Sequence, residues 1–246
     1  MKKTKYFTSF LFTAIFAALI ISGCGDDSTP TNNNTGGTPP TINMTVGAVY
    51  TFNVDSLLTN GTVRTTRLKT TQTYASPSAG AFQITAVTQD SLGGPLITDT
   101  FSVKYEGGKF YQYGVLQLLD PNIPASWDMV ADFTLSQGTQ WTIADDVPFS
   151  IGTITGTADI KGKIAVDTTF HTTGWGNNAV NAFRSEITAD ITVFSAYAGT
   201  IYVDYFIGDA DPATNPSGLV RLRLRPINLT GYSAAGADQK MQKWTP

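Results

Sequence analysis

Between about residues 41 and 230 apolar and polar residues tend to alternate, and helical periodicity is scarce. Side chains two apart share one face of a strand, so this pattern predicts half-buried strands separated by turns. Residues 49–54 form the first, with Tyr50, Phe52 and Val54 on one face. Residues 62–74 read as a long Thr-rich strand whose weak apolar face predicts an edge position. Residues 81–88 follow, and then a strand on which Asp99, Phe101, Val103 and Tyr105 share a face. Glu106-Gly107-Gly108-Lys109 predicts a hairpin, because adjacent glycines supply the positive φ of a tight turn. The returning segment 110–119 is apolar on both faces and is expected to be covered on both.

The second half continues the theme. Residues 151–170 predict one long strand, or two joined near Gly162, followed by a loop over 171–178. In 183–193 the residues Phe183, Ile187, Ala189, Ile191 and Val193 point inward, while Arg184, Glu186, Thr188 and Asp190 point outward. Residues 219–225 set Val220, Leu222 and Leu224 against Arg221, Arg223 and Arg225. Residues 231–246 are polar and are expected to be a tail, helical or without regular structure. About ten antiparallel strands in one flat sheet would expose edges and a face, so the sheet must curl. The expected fold is all-β: a single antiparallel, strongly curved sheet forming an open or closed β-barrel. A two-sheet β-sandwich is the alternative.

The first 23 residues differ from this body. Lys2, Lys3 and Lys5 precede an apolar run over about 7–21, the layout of a secretory signal segment. That run ends in Ile21-Ser22-Gly23-Cys24, which resembles the lipobox of bacterial lipoproteins. The resemblance implies a diacylglycerol on the Cys24 thiol, cleavage before it, and membrane attachment through the lipid. Several acyl chains give stable anchoring, each buried methylene contributing about 0.8 kcal/mol. Cys24 is the only cysteine, so no disulfide forms within the chain. Gly25 follows it, which under enterobacterial sorting points to the outer membrane. The expected organisation is therefore a signal peptide over 1–23, a lipidated N-terminus and tether over 24–41, the all-β domain over 42–230, and the polar tail over 231–246. The tether, GDDSTPTNNNTGGTPPT after the cysteine, has almost no apolar surface to offset the entropy of ordering it.

Loss of residues 1–23 removes three lysines and no acid, which moves the formal charge from −3 to −6. That balance argues against nucleic acid as a partner.

Short elements of the second half carry a further resemblance: Gly162-Lys163-Ile164, Ala182-Phe183-Arg184, Tyr205-Phe206-Ile207 and Gly218-Leu219-Val220-Arg221. Over about 138–228 they look like a pattern in bacterial surface and periplasmic lipoproteins. Such proteins are similar to the open β-barrels of periplasmic lipoprotein carriers. The resemblance implies a barrel and no catalytic residues.

Candidate chemistry is sparse. His171 is the only histidine, and with Cys24 committed to lipid no triad or zinc set can be assembled around it. Asp209, Asp211 and Asn215 form a weak calcium candidate, because Ala213 stands where a third oxygen ligand belongs and no Glu closes the loop. Arg221, Arg223 and Arg225 are like charges on one strand face. They need carboxylates on neighbouring strands, such as Glu186 and Asp190, or they contact an anionic partner. Trp127, Trp141 and Trp175 are candidates for stacking on a sugar, Trp175 between two glycines foremost. A hydrolase built on carboxylates is disfavoured, because the only two glutamates are Glu106, in a turn, and Glu186.

The expected function is a lipid-anchored protein of the bacterial cell envelope, with a non-catalytic β-domain, a binding or structural role and no cofactor. Its partners are the membrane through Cys24 and a lipid, glycan or envelope protein. A carrier of a lipid or other apolar ligand is the alternative, and it predicts a large pocket lined by Phe183, Ile187, Ile191 and Tyr205.

Overall fold

A computed structural model describes residues 39–78, 80–94, 96–152, 154–165, 168–171, 179–208 and 216–245. The first half supplies β1 (Val49–Leu57), β2 (Val63–Ser78), β3 (Ala81–Asp90), β4 (Ile97–Glu106) and β5 (Lys109–Tyr113). A single 3-10 turn (Val115–Leu118) leads to β6 (Trp127–Asp132), β7 (Gln140–Ile151), β8 (Ile154–Ile164) and β9 (Thr168–His171). Then come β10 (Ala179–Val193), β11 (Ala196–Gly208) and β12 (Gly218–Leu224). The short pair β13 (Ile227–Leu229) and β14 (Tyr232–Ala234) precedes β15 (Gly236–Thr245).

Among the described residues one sheet runs β6-β5-β4-β3-β2-β1-β15-β12-β11-β10-β8-β7, with β9 beside β10. Its neighbours are antiparallel. The sheet curls until it is nearly closed, as a long antiparallel sheet must to hide its edges. The two ends meet through side chains. Ser185 on β10 donates its hydroxyl to the Val130 carbonyl on β6 at 2.5 Å. Trp141 on β7 donates its indole N–H to the Met129 carbonyl at 3.3 Å. Phe133, just past β6, meets Phe183 edge-on at 5.3 Å between ring centroids. This is the curved single sheet that alternation predicted, and the sandwich alternative is set aside.

The inner face is built from the alternating apolar positions. Tyr50, Phe52, Tyr74, Ile84, Val103, Phe110, Ile191 and Met241 are all buried there. Tyr50 and Tyr74 lie 4.8 Å apart between centroids, and the Tyr50 phenol donates to the Ser217 carbonyl at 2.6 Å. Burying each large apolar side chain contributes about 1.5–3 kcal/mol. The glycine hairpin forms as expected, with Gly107 at φ 59° and Gly108 at φ 77° between β4 and β5.

Several elements depart from the sequence-based expectation. The segment 231–246, expected to be a tail, supplies β15, which pairs with β1 on one side and β12 on the other. Its polar residues are partnered across strands: Asp238 takes Arg221, and Gln239 donates to Thr70 at 3.1 Å. A polar sequence can therefore fill a central position. Strand β2 is also central, between β1 and β3, and no edge. Its Thr70 is partnered across the strands, the hydroxyl lying 2.8 Å from that of Thr88. Segment 110–119 leaves the sheet after Tyr113, where Gly114 adopts φ 77° and a 3-10 turn begins. In 151–170 Ile151 ends β7 and Ile154–Ile164 form β8, which leaves Gly162 inside a strand. His171 closes β9 opposite Ala179 rather than opening a loop.

Candidate functional site

The pairing registers fix which loops share an end of the barrel. The β4–β5 turn lies at the end where the described chain enters, since the Pro40 carbonyl accepts from the Tyr105 phenol at 2.6 Å. The opposite end gathers the β1–β2, β3–β4, β7–β8 and β10–β11 connections and the start of β6. Six large apolar side chains are exposed at that far end: Leu92, Leu96, Tyr113, Trp127, Phe194 and Tyr197. Phe194 is 97% exposed and sits with Ser195 in a turn where both have positive φ, 48° and 62°. Residues other than glycine, asparagine and aspartate are uncommon in that region, and bulky ones are rarer still.

The outer face carries a charge ladder. Registers set Lys163, Glu186, Asp204, Arg223, Asp238 and Asp55 side by side on β8, β10, β11, β12, β15 and β1. Lys163 pairs with Glu186 at 2.8 Å. Arg225 spans Asp204, with Nε at 2.9 Å, and Glu186. Arg221 binds Asp238 through two nitrogens and lies over the Phe206 ring at 4.9 Å. Burial pushes the Glu186 carboxyl up, but hydrogen bonds from Lys163 and Arg225 outweigh it and hold it below its ordinary range. Burial, with Asp238 adding repulsion, pushes Asp55 up. Of the two carboxylates expected to counter the arginines, Glu186 does so, whereas Asp190 pairs with Lys161 at 3.9 Å, and Asp204 and Asp238 supply the remaining partners. Arg221 is buried, with its charge paired within the sheet. Arg223 has its Nε buried without a hydrogen-bond partner among the described residues.

The barrel interior is divided. Around β8, β10 and β11 it is packed: Ile187, Ile191 and Tyr205 are buried in the core and Phe183 packs against it. These four residues were expected to line a large pocket, and instead their side chains fill that space. The other half holds a cavity of about 250 Å3. Gln72, Asp99, Gln112 and Gln239 reach it, together with Ala86, Phe101, Leu219 and Leu222. Gln72, Ala86 and Asp99 stand directly opposite one another on β2, β3 and β4. The short Ala86 side chain leaves the space between the other two. Gln83, Thr100 and Tyr113, all exposed, mark the open side near the end of β5. Burial pushes the Asp99 carboxyl up, opposed only by the Thr100 N–H that it accepts at 2.8 Å.

The other expected site residues divide as follows. Trp141 covers Gly162 and seals the barrel seam. Trp127 is partly exposed and meets Tyr113 edge-on at 5.3 Å. Trp175, the calcium candidates Asp209, Asp211 and Asn215, and Cys24 lie outside the described residues. Among the described residues no group of three or more His, Cys, Asp or Glu side chains could hold a metal. The cavity glutamines were missed, because Gln carries no chemical signature in a sequence. Asp99 was visible as an acid on the same strand face as Phe101, Val103 and Tyr105, and that was the usable signal.

No protein-family pattern matches the chain, and no curated protein matches it. Two solved structures are similar in shape. One, named as a lipoprotein from Parabacteroides distasonis, has a TM-score of 0.47 and 9% identity, covering 82% of this chain and 96% of that one. The other, named as an exported protein with a YmcC-like fold from Bacteroides fragilis, has a TM-score of 0.43 and 10% identity, covering 85% of this chain and all of that one.

Proposed function

We propose that this chain is a lipid-anchored protein of the bacterial cell envelope whose β-barrel binds a partner or ligand and does no catalysis. Ile21-Ser22-Gly23-Cys24, after a basic start and an apolar run, carries the reading. In this reading the lipid sits on Cys24, the outer membrane holds it, and the lipidated N-terminus and tether over 24–41 link it to the barrel. The end of the barrel where the chain enters then faces the membrane, and the exposed apolar end faces away from it. Six large apolar side chains on one rim suit a contact surface for an envelope partner.

The interior supports binding of something small rather than transport of an acyl chain. At about 250 Å3 the cavity falls below the roughly 300–1,000 Å3 of ordinary ligand pockets. Amide and carboxyl groups line it, which would cost an acyl chain the desolvation of each unpaired polar atom.

Metabolic labelling with an alkynyl fatty acid in a Gram-negative host tests the anchor. The full chain should take up label and sediment with outer membrane on a density gradient, and Cys24→Ser should lose the label and leave the membrane. An unlabelled full chain in the soluble fraction overturns the proposal.

A further inference from the structure

Three features of the cavity identify the chemistry that would occupy it. Gln72 is 2% exposed, and its side-chain oxygen is buried with no hydrogen-bond partner. Leaving such an acceptor unpaired costs about 1–3 kcal/mol, so it calls for a donor. Asp99 is the sole charged residue among those that line the cavity, and among the described residues no cation is paired with it. A half-buried carboxylate without a counter-charge favours a cation beside it. Phe101, two residues along the same strand, adds an aromatic wall that a cation tolerates better than an anion does.

Spacing and size narrow the ligand. Asp99 and Gln72 are two strands apart, roughly 9–10 Å between backbones, with Ala86 between them. At about 250 Å3 the cavity admits a small molecule, since ordinary ligand pockets run to roughly 300–1,000 Å3. We infer that this cavity binds a small organic ammonium ion carrying a second hydrogen-bond donor, with Asp99 taking the ammonium and Gln72 the donor. Leu219 and Leu222 enclose the carbon chain between the two ends. The site goes beyond the anchoring role and does not depend on it.

The test uses the full chain extracted from membranes in detergent, with aminobutanol as the probe. Butanediol replaces its ammonium with a hydroxyl, and hydroxybutyrate replaces its terminal aminomethyl group with a carboxylate. Calorimetry should show one aminobutanol bound per chain, with both analogues weaker by about tenfold or more. Asp99→Asn should weaken aminobutanol by a similar factor and leave butanediol unchanged. In the unmutated chain, aminobutanol should shift the side-chain amide resonances of Gln72, Gln112 and Gln239, a readout independent of any variant's folding. Cys24→Ser should bind as the parent does, so loss of lipid labelling and loss of binding are separate results. The inference is overturned if aminobutanol gives neither heat nor shifts, as a cavity filled by water alone would, if butanediol binds equally well, or if Asp99→Asn binds unchanged.

Discussion

Arg221 grips Asp238 through two guanidinium nitrogens, with Nε 2.7 Å from one carboxylate oxygen, across the junction of β12 and β15. That junction joins the two halves of the sheet. Both side chains are less than one-tenth exposed. Removing one partner of a buried pair leaves a charge without compensation and costs about 3–5 kcal/mol. Arg221→Met should lower the unfolding free energy, measured by urea titration, by an amount of that order. Arg221→Met with Asp238→Leu should recover most of it, since a packed apolar pair replaces a buried ion pair at little cost. Equal losses in the single and double variants would show that the pair does not hold the junction.

The same junction makes the C-terminal segment indispensable. Strand β15 satisfies ladder hydrogen bonds of β1 and β12 and buries Met241 completely. A chain ending at Ala235 would expose both neighbouring strands. It should show no cooperative thermal transition by circular dichroism, whereas removal of Pro246 alone should leave the transition in place.

The seam depends on a close approach. A Cβ at Gly162 would overlap the Trp141 indole, whose N–H reaches the Met129 carbonyl. Gly162→Ala should therefore push the indole off β8 and break the cross-seam bond, destabilising the barrel by about 1–3 kcal/mol. Trp fluorescence should shift to the red as the ring gains water. An unchanged spectrum and midpoint would refute the seam role of Trp141.

Much of this fold could be read from alternation alone. Tyr50, Phe52, Val103, Ile187 and Ile191 face inward as their spacing predicts, because burying every second side chain is what drives a sheet to curl. Alternation fails where polar side chains find partners across strands, since those contacts join residues far apart in sequence. Residues 236–245 read as a tail because Asp238 and Gln239 look solvated until Arg221 and Thr70, from other strands, are placed beside them. The cavity was hidden for the same reason. Gln72, Ala86 and Asp99 converge only through strand register, and neither Gln nor Ala is flagged by a chemical motif.

Acid should weaken the outer charge ladder. Glu186 has its carboxyl held below its ordinary range in the fold. A depressed carboxylate contributes stability above its unfolded pKa of about 4.3, and that contribution is lost as pH falls through the folded value. The urea midpoint should therefore drop below about pH 4.3, and Glu186→Gln should flatten that part of the profile. Asp55 has the opposite sign, because its raised carboxyl is destabilising when ionised. Asp55→Asn should raise the midpoint at neutral pH and change nothing once Asp55 is protonated. A Glu186→Gln profile as steep as the parent's would remove Glu186 from the acid response.

The turn between β10 and β11 pays in strain for what it displays. Phe194 and Ser195 both hold positive φ, and the Phe194 ring is almost wholly in solvent. Two-residue hairpins of this form favour Asn-Gly, which adopts those angles with little strain. Phe194→Asn with Ser195→Gly should relieve left-handed strain of about 1–2 kcal/mol per residue, offset in part by the roughly 0.5–1 kcal/mol entropy cost of glycine, and so raise the urea midpoint at unchanged slope. If the exposed rim serves an envelope partner, the same double variant should lose crosslinking to it in intact cells despite its greater stability. A variant that gains stability and keeps every crosslink would leave Phe194 with no part in that contact.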